Sequence, residues 1–127
     1  MDKERQDLYT KFSGVIELTK KDFTKKKLKH PEFLNKNAFV IFYAPWCGFC
    51  QRMVEYLSDL AIQFRYIFPI GVVNCENPLN GTLCNQFKIT GFPAIFHKTP
   101  DNVFIPYDGV RDKDHLITFI YNAGSSL

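Results

Sequence analysis

Cys47 and Cys50, separated only by Gly48 and Phe49, are the residues of this chain best suited to chemistry. Two thiols at that spacing can close a small disulfide or supply half of a metal site. An apolar run from Ala38 to Tyr43 leads to the pair, and Met53, Val54, Leu57, Leu60, Ala61 and Phe64 follow it at helical spacing. The pattern predicts a strand buried on both faces, then a helix over 48–65 with Cys47 just before its first turn. A sulfur there faces unpaired backbone N–H groups and the positive end of the helix dipole. Both favour the thiolate, the form that attacks a disulfide, and in such motifs the thiol pKa falls to roughly 3.5–7.5. Cys47 is the expected nucleophile and Cys50, one turn deeper, the expected resolving thiol. Gly48 is expected to keep side-chain bulk out from between them. A zinc site built from these two sulfurs plus Cys75 and Cys84 competes with this reading, as do two inert buried thiols. The second pair lacks knuckle spacing, which weighs against zinc.

The elements that must position this pair fit within one domain. The chain has 127 residues, 46% of them hydrophobic and thirteen of them Phe, enough for an aromatic core without staples. A net charge of +3 is mild, and the lysines from Lys20 to Lys29 read as a solvated helix face, so no nucleic-acid role is expected. No apolar run approaches the roughly twenty residues that cross a bilayer, and residues 1–6 lack the apolar core of a secretion signal. A monomer with no bound cofactor is expected.

Residues 1–13 read as a polar extension partly ordered by Leu8, Tyr9 and Phe12, and 14–127 as the domain. Val15 to Leu18 is a strand candidate. Thr19 is the expected N-cap of a Lys-rich helix running to Lys29, with His30-Pro31 as its stop. Ile67 to Val73 predicts another strand and Leu79 to Phe87 a short helix. Ala94 to His97 and Val103 to Tyr107 predict a hairpin, and 112–122 a closing helix. The expected order, β-α-β-α-β-α-β-β-α, is that of an α/β sandwich with a mixed sheet. His30, His97 and His115 share no metal-ligand spacing.

This order, with Trp46-Cys47-Gly48-Phe49-Cys50, Gly91-Phe92-Pro93 and Tyr107-x-Gly109-x-Arg111, resembles the thioredoxin superfamily. Phe42 to Gly48 is similar in particular to the catalytic domains of protein disulfide isomerases. The resemblance implies a three-layer α/β/α sandwich and a thiol–disulfide oxidoreductase acting on unfolded or disulfide-containing proteins. Glutathione or a partner oxidase would exchange electrons with it. It further implies that Pro93 follows a cis peptide bond beside the cysteines, that Phe92 offers its backbone to substrate, and that Arg111 can swing toward Cys50. Trp46, Phe49 and Phe92 are expected to form an apolar collar for substrate.

Three departures bear on mechanism. The family's buried acid falls at Ile41, and the lysine that often accompanies it falls at Val72. With both apolar, Cys50 must lose its proton to water or depend on Arg111. Phe49 stands where strongly oxidising sites carry His, so this site is expected to be less oxidising. Cys75 and Cys84 are expected to form a structural disulfide, with two free thiols as the alternative. Such a bridge, together with the Asn80-Gly81-Thr82 sequon as a candidate glycosylation site, favours the endoplasmic reticulum lumen over the cytosol. Rival functions are a thioredoxin-like electron carrier, the thioredoxin domain of a sulfhydryl oxidase, or a chaperone-like binding module with poor turnover.

Overall fold

Seven strands and three helices make up the computed structural model, which describes residues 7–9 and 13–125. The strands are β1 (Ile16–Leu18), β2 (Phe23–Thr24), β3 (Lys27–Leu28), β4 (Ala38–Tyr43), β5 (Ile70–Asn74), β6 (Ala94–Lys98) and β7 (Phe104–Pro106). The helices are α1 (Gly48–Gln63), α2 (Gly81–Gln86) and α3 (Lys113–Ser125). The main sheet runs β1-β5-β4-β6-β7, with β1, β5 and β4 parallel and β6 and β7 antiparallel. β4 lies at its centre, which is why every one of its six residues is buried.

Strand alternation splits the core in two. Phe39, Ile41 and Tyr43 face α1 and α3, where they meet Met53, Leu57, Leu60, Leu116 and Ile120. Ala38, Val40 and Phe42 face the other way, toward Leu28, Phe33, Leu83 and Phe87. The result is an α/β/α sandwich around a mixed sheet.

The Lys-rich helix expected from Thr19 to Lys29 is not formed. Thr19 does cap a helical turn, in a capping box with Asp22, but that turn is a single one of 3-10 type over Lys20–Asp22. Beyond it the chain becomes the β2–β3 hairpin, with Phe23 opposite Leu28 and Thr24 opposite Lys27. Two causes outweigh helix propensity. A helix would stack like charges three and four residues apart, and it would not put Phe23 and Leu28, both buried here, on one face. Lys25 takes a positive φ of 56° to close the turn. Asn102 then ties the hairpin to the sheet by accepting from the Leu28 N–H and donating to its carbonyl.

One other side chain departs from expectation. Lys98, in the expected hairpin turn, is buried at the end of β6 and donates to the carbonyls of Phe33 and Lys36. Burial pulls its ammonium below the usual lysine range. Residues 7–9 of the N-terminal extension are ordered against the domain. Asp7 accepts from the Asn74 side chain at 2.9 Å, and the Tyr9 ring packs edge-on to Tyr43 at 5.7 Å, inside the core under α1. Phe12 lies outside the described residues.

Candidate active site

β4 ends at Tyr43, and Ala44 and Pro45 turn the chain into α1. Cys47 is the N-cap of that helix, and its sulfur accepts the Cys50 N–H at 3.4 Å. The same thiol donates to the Phe92 carbonyl at 3.5 Å, across the site. Cys47 is 7% exposed and Cys50 2%, so both are buried and the first is the more accessible. Both are free thiols. Burial pushes the Cys50 thiol up to about 12, because the low-polarity surroundings penalise the charged form. Attack by Cys50 therefore depends on something taking its proton.

The opposing wall is the Phe92–Pro93 peptide, which is cis. Trp46 is 53% exposed, sets its ring edge-on to Phe92 and donates its indole N–H to Glu76. Phe49 is 67% exposed, and the Arg52 guanidinium sits 4.5 Å from its ring centroid. A groove of about 420 Å³ runs beside the pair between Phe49, Met53, Tyr56, Phe92, Pro93 and Arg111. Of the expected collar, Phe49 and Phe92 line this groove, and Trp46 touches it only through its contact with Phe92.

Residues 14–122 match the thioredoxin family. The chain belongs to that family. Over 113 residues this thioredoxin domain is 30% identical to protein disulfide isomerase-like 1-3 of Arabidopsis thaliana, covering 87% of this chain and 18% of that protein. It is 38% identical over 84 residues to a mitochondrial thioredoxin domain-containing protein of Schizosaccharomyces pombe, covering 65% of this chain and 22% of that one. The chain therefore spans about a fifth of the length of the curated relatives it matches. Among solved structures, the J-Trx1 fragment of ERdj5 superposes with a TM-score of 0.74 at 23% identity, over 91% of this chain and 54% of that one. That likeness concerns the fold.

In this thioredoxin domain the Arg111 guanidinium donates to the Pro93 carbonyl at 2.6 Å. The Tyr107-x-Gly109-x-Arg111 pattern explains how it gets there. The Tyr107 hydroxyl donates to the Val110 carbonyl at 2.6 Å and folds its ring under Gly109, where a Cβ would lie 2.5 Å from the phenol oxygen. Gly48 opens α1 between the two cysteines, and the Arg52 guanidinium lies 3.6 Å from where a Cβ would stand. Ile41 and Val72 are paired across β4 and β5 and both buried.

Cys75 and Cys84 are joined in a disulfide with Cα atoms 6.1 Å apart. Four thiolates are thus not available, and the four-sulfur zinc arrangement falls. Asn80 is corrected as a glycosylation site. Its side chain is buried, donates to the Asn74 carbonyl and accepts the Lys20 N–H, so a glycan there would break both bonds. The histidines are occupied elsewhere: His30 caps the Glu32 N–H, His97 bonds Asn37, and His115 bonds Asp112.

Sequence reasoning missed the polar cluster behind the pair. Glu17 accepts the Tyr43 hydroxyl at 3.0 Å, with Asp7 and Tyr9 beside it. Its signal was legible: a carboxylate one residue out of phase with Ile16 and Leu18 in a strand must point to the opposite face of the sheet. That face is the one under α1.

Proposed function

We propose that this chain is a thiol–disulfide oxidoreductase of the protein disulfide isomerase type, acting on protein substrates. One observation carries the reading. A thiol sits at the N-cap of α1, opposite the Phe92 carbonyl, with a second and more deeply buried thiol one turn behind it. Helix N–H groups and the dipole stabilise negative charge on Cys47 as it attacks, and again when it leaves. The exposed rings of Trp46 and Phe49, with Phe92 behind them, suit the apolar segments of an unfolded chain.

In the reductive direction, Cys47 attacks a substrate disulfide and releases one substrate thiol. Cys50 then attacks Cys47, forming the Cys47–Cys50 disulfide and freeing the second substrate thiol. Oxidation of substrate runs the same steps backward, and glutathione or a partner oxidase resets the pair. Arg111, held on the Pro93 carbonyl, steadies the wall against which substrate lies. The Cys75–Cys84 bridge and the disulfide isomerases among the relatives favour an oxidising compartment such as the endoplasmic reticulum lumen.

Insulin reduction and scrambled-ribonuclease refolding, run with Cys47→Ser and Cys50→Ser, test the reading. Activity should vanish with Cys47→Ser, and Cys50→Ser should accumulate mixed disulfides. Suppression of substrate aggregation that persists in both variants, without wild-type turnover, would replace the enzyme by a binding module. Reduction without isomerisation would favour an electron carrier.

A further inference from the structure

Cys50 must give up a proton to act, and among the described residues lining the groove there is no carboxylate or imidazole to take it. Arg111 is engaged with Pro93, and Ile41 and Val72, on the sheet below, are apolar. The side of Cys50 away from the mouth is different. Tyr9 belongs to the same buried cluster as Cys50, and it also lines a cleft of about 880 Å³ that opens at the β1 edge of the sheet. Glu17 lies in that cleft, on β1, in register with Val72 and through it with Ile41. A carboxylate therefore stands at the wet end of the row of side chains that runs beneath the cysteines.

We propose that Tyr9 and Glu17 carry the proton of Cys50 out of the core: as Cys50 resolves a mixed disulfide, the proton passes by way of the Tyr9 hydroxyl to the Glu17 carboxylate and from there to water in the cleft. The inference rests on the disulfide chemistry proposed above. In the step itself the Cys50 S–H bond breaks and its electron pair forms the bond to the Cys47 sulfur. The bond from Cys47 to the substrate sulfur breaks, and the substrate departs as a thiolate. Tyr9 takes the Cys50 proton and yields its own to Glu17, so it ends neutral. No external oxidant is consumed, since the substrate sulfur takes the electron pair.

The surroundings of Glu17 suit it to this task. By area it is exposed, yet protein rings its inner side. Lost hydration, with the Asp7 carboxylate alongside, pushes it up to about 8, against the pull of the Tyr43 hydrogen bond. Water at the open rim softens this without reversing it. A base poised near neutrality both accepts and releases a proton readily. The ionisable and charged groups facing it are Asp7 and Tyr9 from the N-terminal segment, Tyr43 from β4, Glu32 from the turn before β4, and Arg65 and Tyr66 from the end of α1. The Tyr9 hydroxyl senses both partners of the proposed relay, because negative charge on Cys50 and on Glu17 adds to burial in holding its proton on.

The test uses the whole chain and dithiobis(nitrobenzoic acid), an aromatic disulfide. The first coloured thiol released reports attack by Cys47, and the second reports resolution by Cys50. Glu17→Gln and Tyr9→Phe should leave the first release unchanged. Each should slow the second by about a hundredfold at pH 8, the lower range for a positioned base. The second-release rate of the wild type should level off above about pH 8 as Glu17 ionises, whereas in Glu17→Gln it should keep rising with pH. A second release with the same rate and pH profile in wild type and both variants overturns the relay and leaves the oxidoreductase reading standing. If only Glu17→Gln slows it, the Tyr9 route is overturned. If the wild type gives no first release, both proposals fall.

Discussion

Each of the two cysteine pairs begins where a central parallel strand ends, and their fates differ. Cys47 follows β4 and Cys75 follows β5, whose ends are joined by the Cys75 N–H on the Tyr43 carbonyl. From there one chain enters a helix of sixteen residues and the other a helix of six. In the first pair both thiols lie on the same helix turn and neither is needed to hold the helix, which packs Met53, Leu57, Leu60 and Ala61 into the core. In the second, Cys84 lies inside α2, a helix too short to be stable alone, and its bond to Cys75 fastens that helix to the sheet. The same element is thus chemical where packing has already fixed the backbone and structural where packing is thin.

The sharpest way to break this contrast is to remove one sulfur from each pair. Cys47→Ser should reduce turnover to the uncatalysed level while leaving the denaturant midpoint near wild type. Cys75→Ala with Cys84→Ala should do the reverse. Closing a loop of this length contributes about 2–3 kcal/mol, so the unfolding free energy from urea titration should fall by that much while turnover of the folded protein is kept. Loss of activity in the second variant at temperatures where it remains folded would erase the distinction.

A second comparison asks whether the disulfide alone secures its layer. Lys98 anchors the turn at 31–33, which packs on the same side of the sheet as Cys84. Lys98→Met leaves the buried Phe33 carbonyl and the partly buried Lys36 carbonyl without this donor and should cost about 1.5–3 kcal/mol, read as a drop in the urea midpoint.

Smaller effects test the active pair. Phe49→His places a cation source between the sulfurs and should make the site more oxidising, by about 30 mV for each 1.4 kcal/mol of thiolate stabilisation. A glutathione equilibrium that does not move would show that Arg52, already stacked on Phe49, supplies whatever charge the motif needs. Smallest of all is the effect of Glu17 on stability. Its folded value, raised to about 8, means that the native state holds a proton the unfolded chain has lost. Stability from this group is full below the unfolded carboxylate range, near 4.3, and declines as pH rises to about 8. Glu17→Gln should therefore melt higher than wild type at pH 9 and no higher at pH 4; a gain that is the same at both would exclude titration as its cause.

Much of the site was readable in the chain because its signals are local. A buried strand, a Cys-x-x-Cys and a helical apolar stripe occur in sequence order, so one segment carries both the nucleophile and its N-cap. Phe92 and Pro93 were legible through the resemblance, and their place beside Cys47 follows from β6 lying antiparallel to β4. Errors fell where distant contacts decide. The lysine run looked helical until Phe23 and Leu28 had to be buried together, and Asn80 looked accessible until Lys20 and Asn74 claimed its side chain.

Sequence alone therefore determined the chemistry on offer: a thiol pair at a helix start, an aromatic rim and one further pair of sulfurs. Tertiary structure decided which groups serve it. Only folding puts the Arg111 guanidinium on the Pro93 carbonyl, and only folding brings Tyr9, some forty residues upstream, into the cluster of the resolving thiol and into one cleft with Glu17. The reason is range. A helix cap is settled within one turn of backbone, whereas a proton's destination depends on which strands the sheet sets side by side.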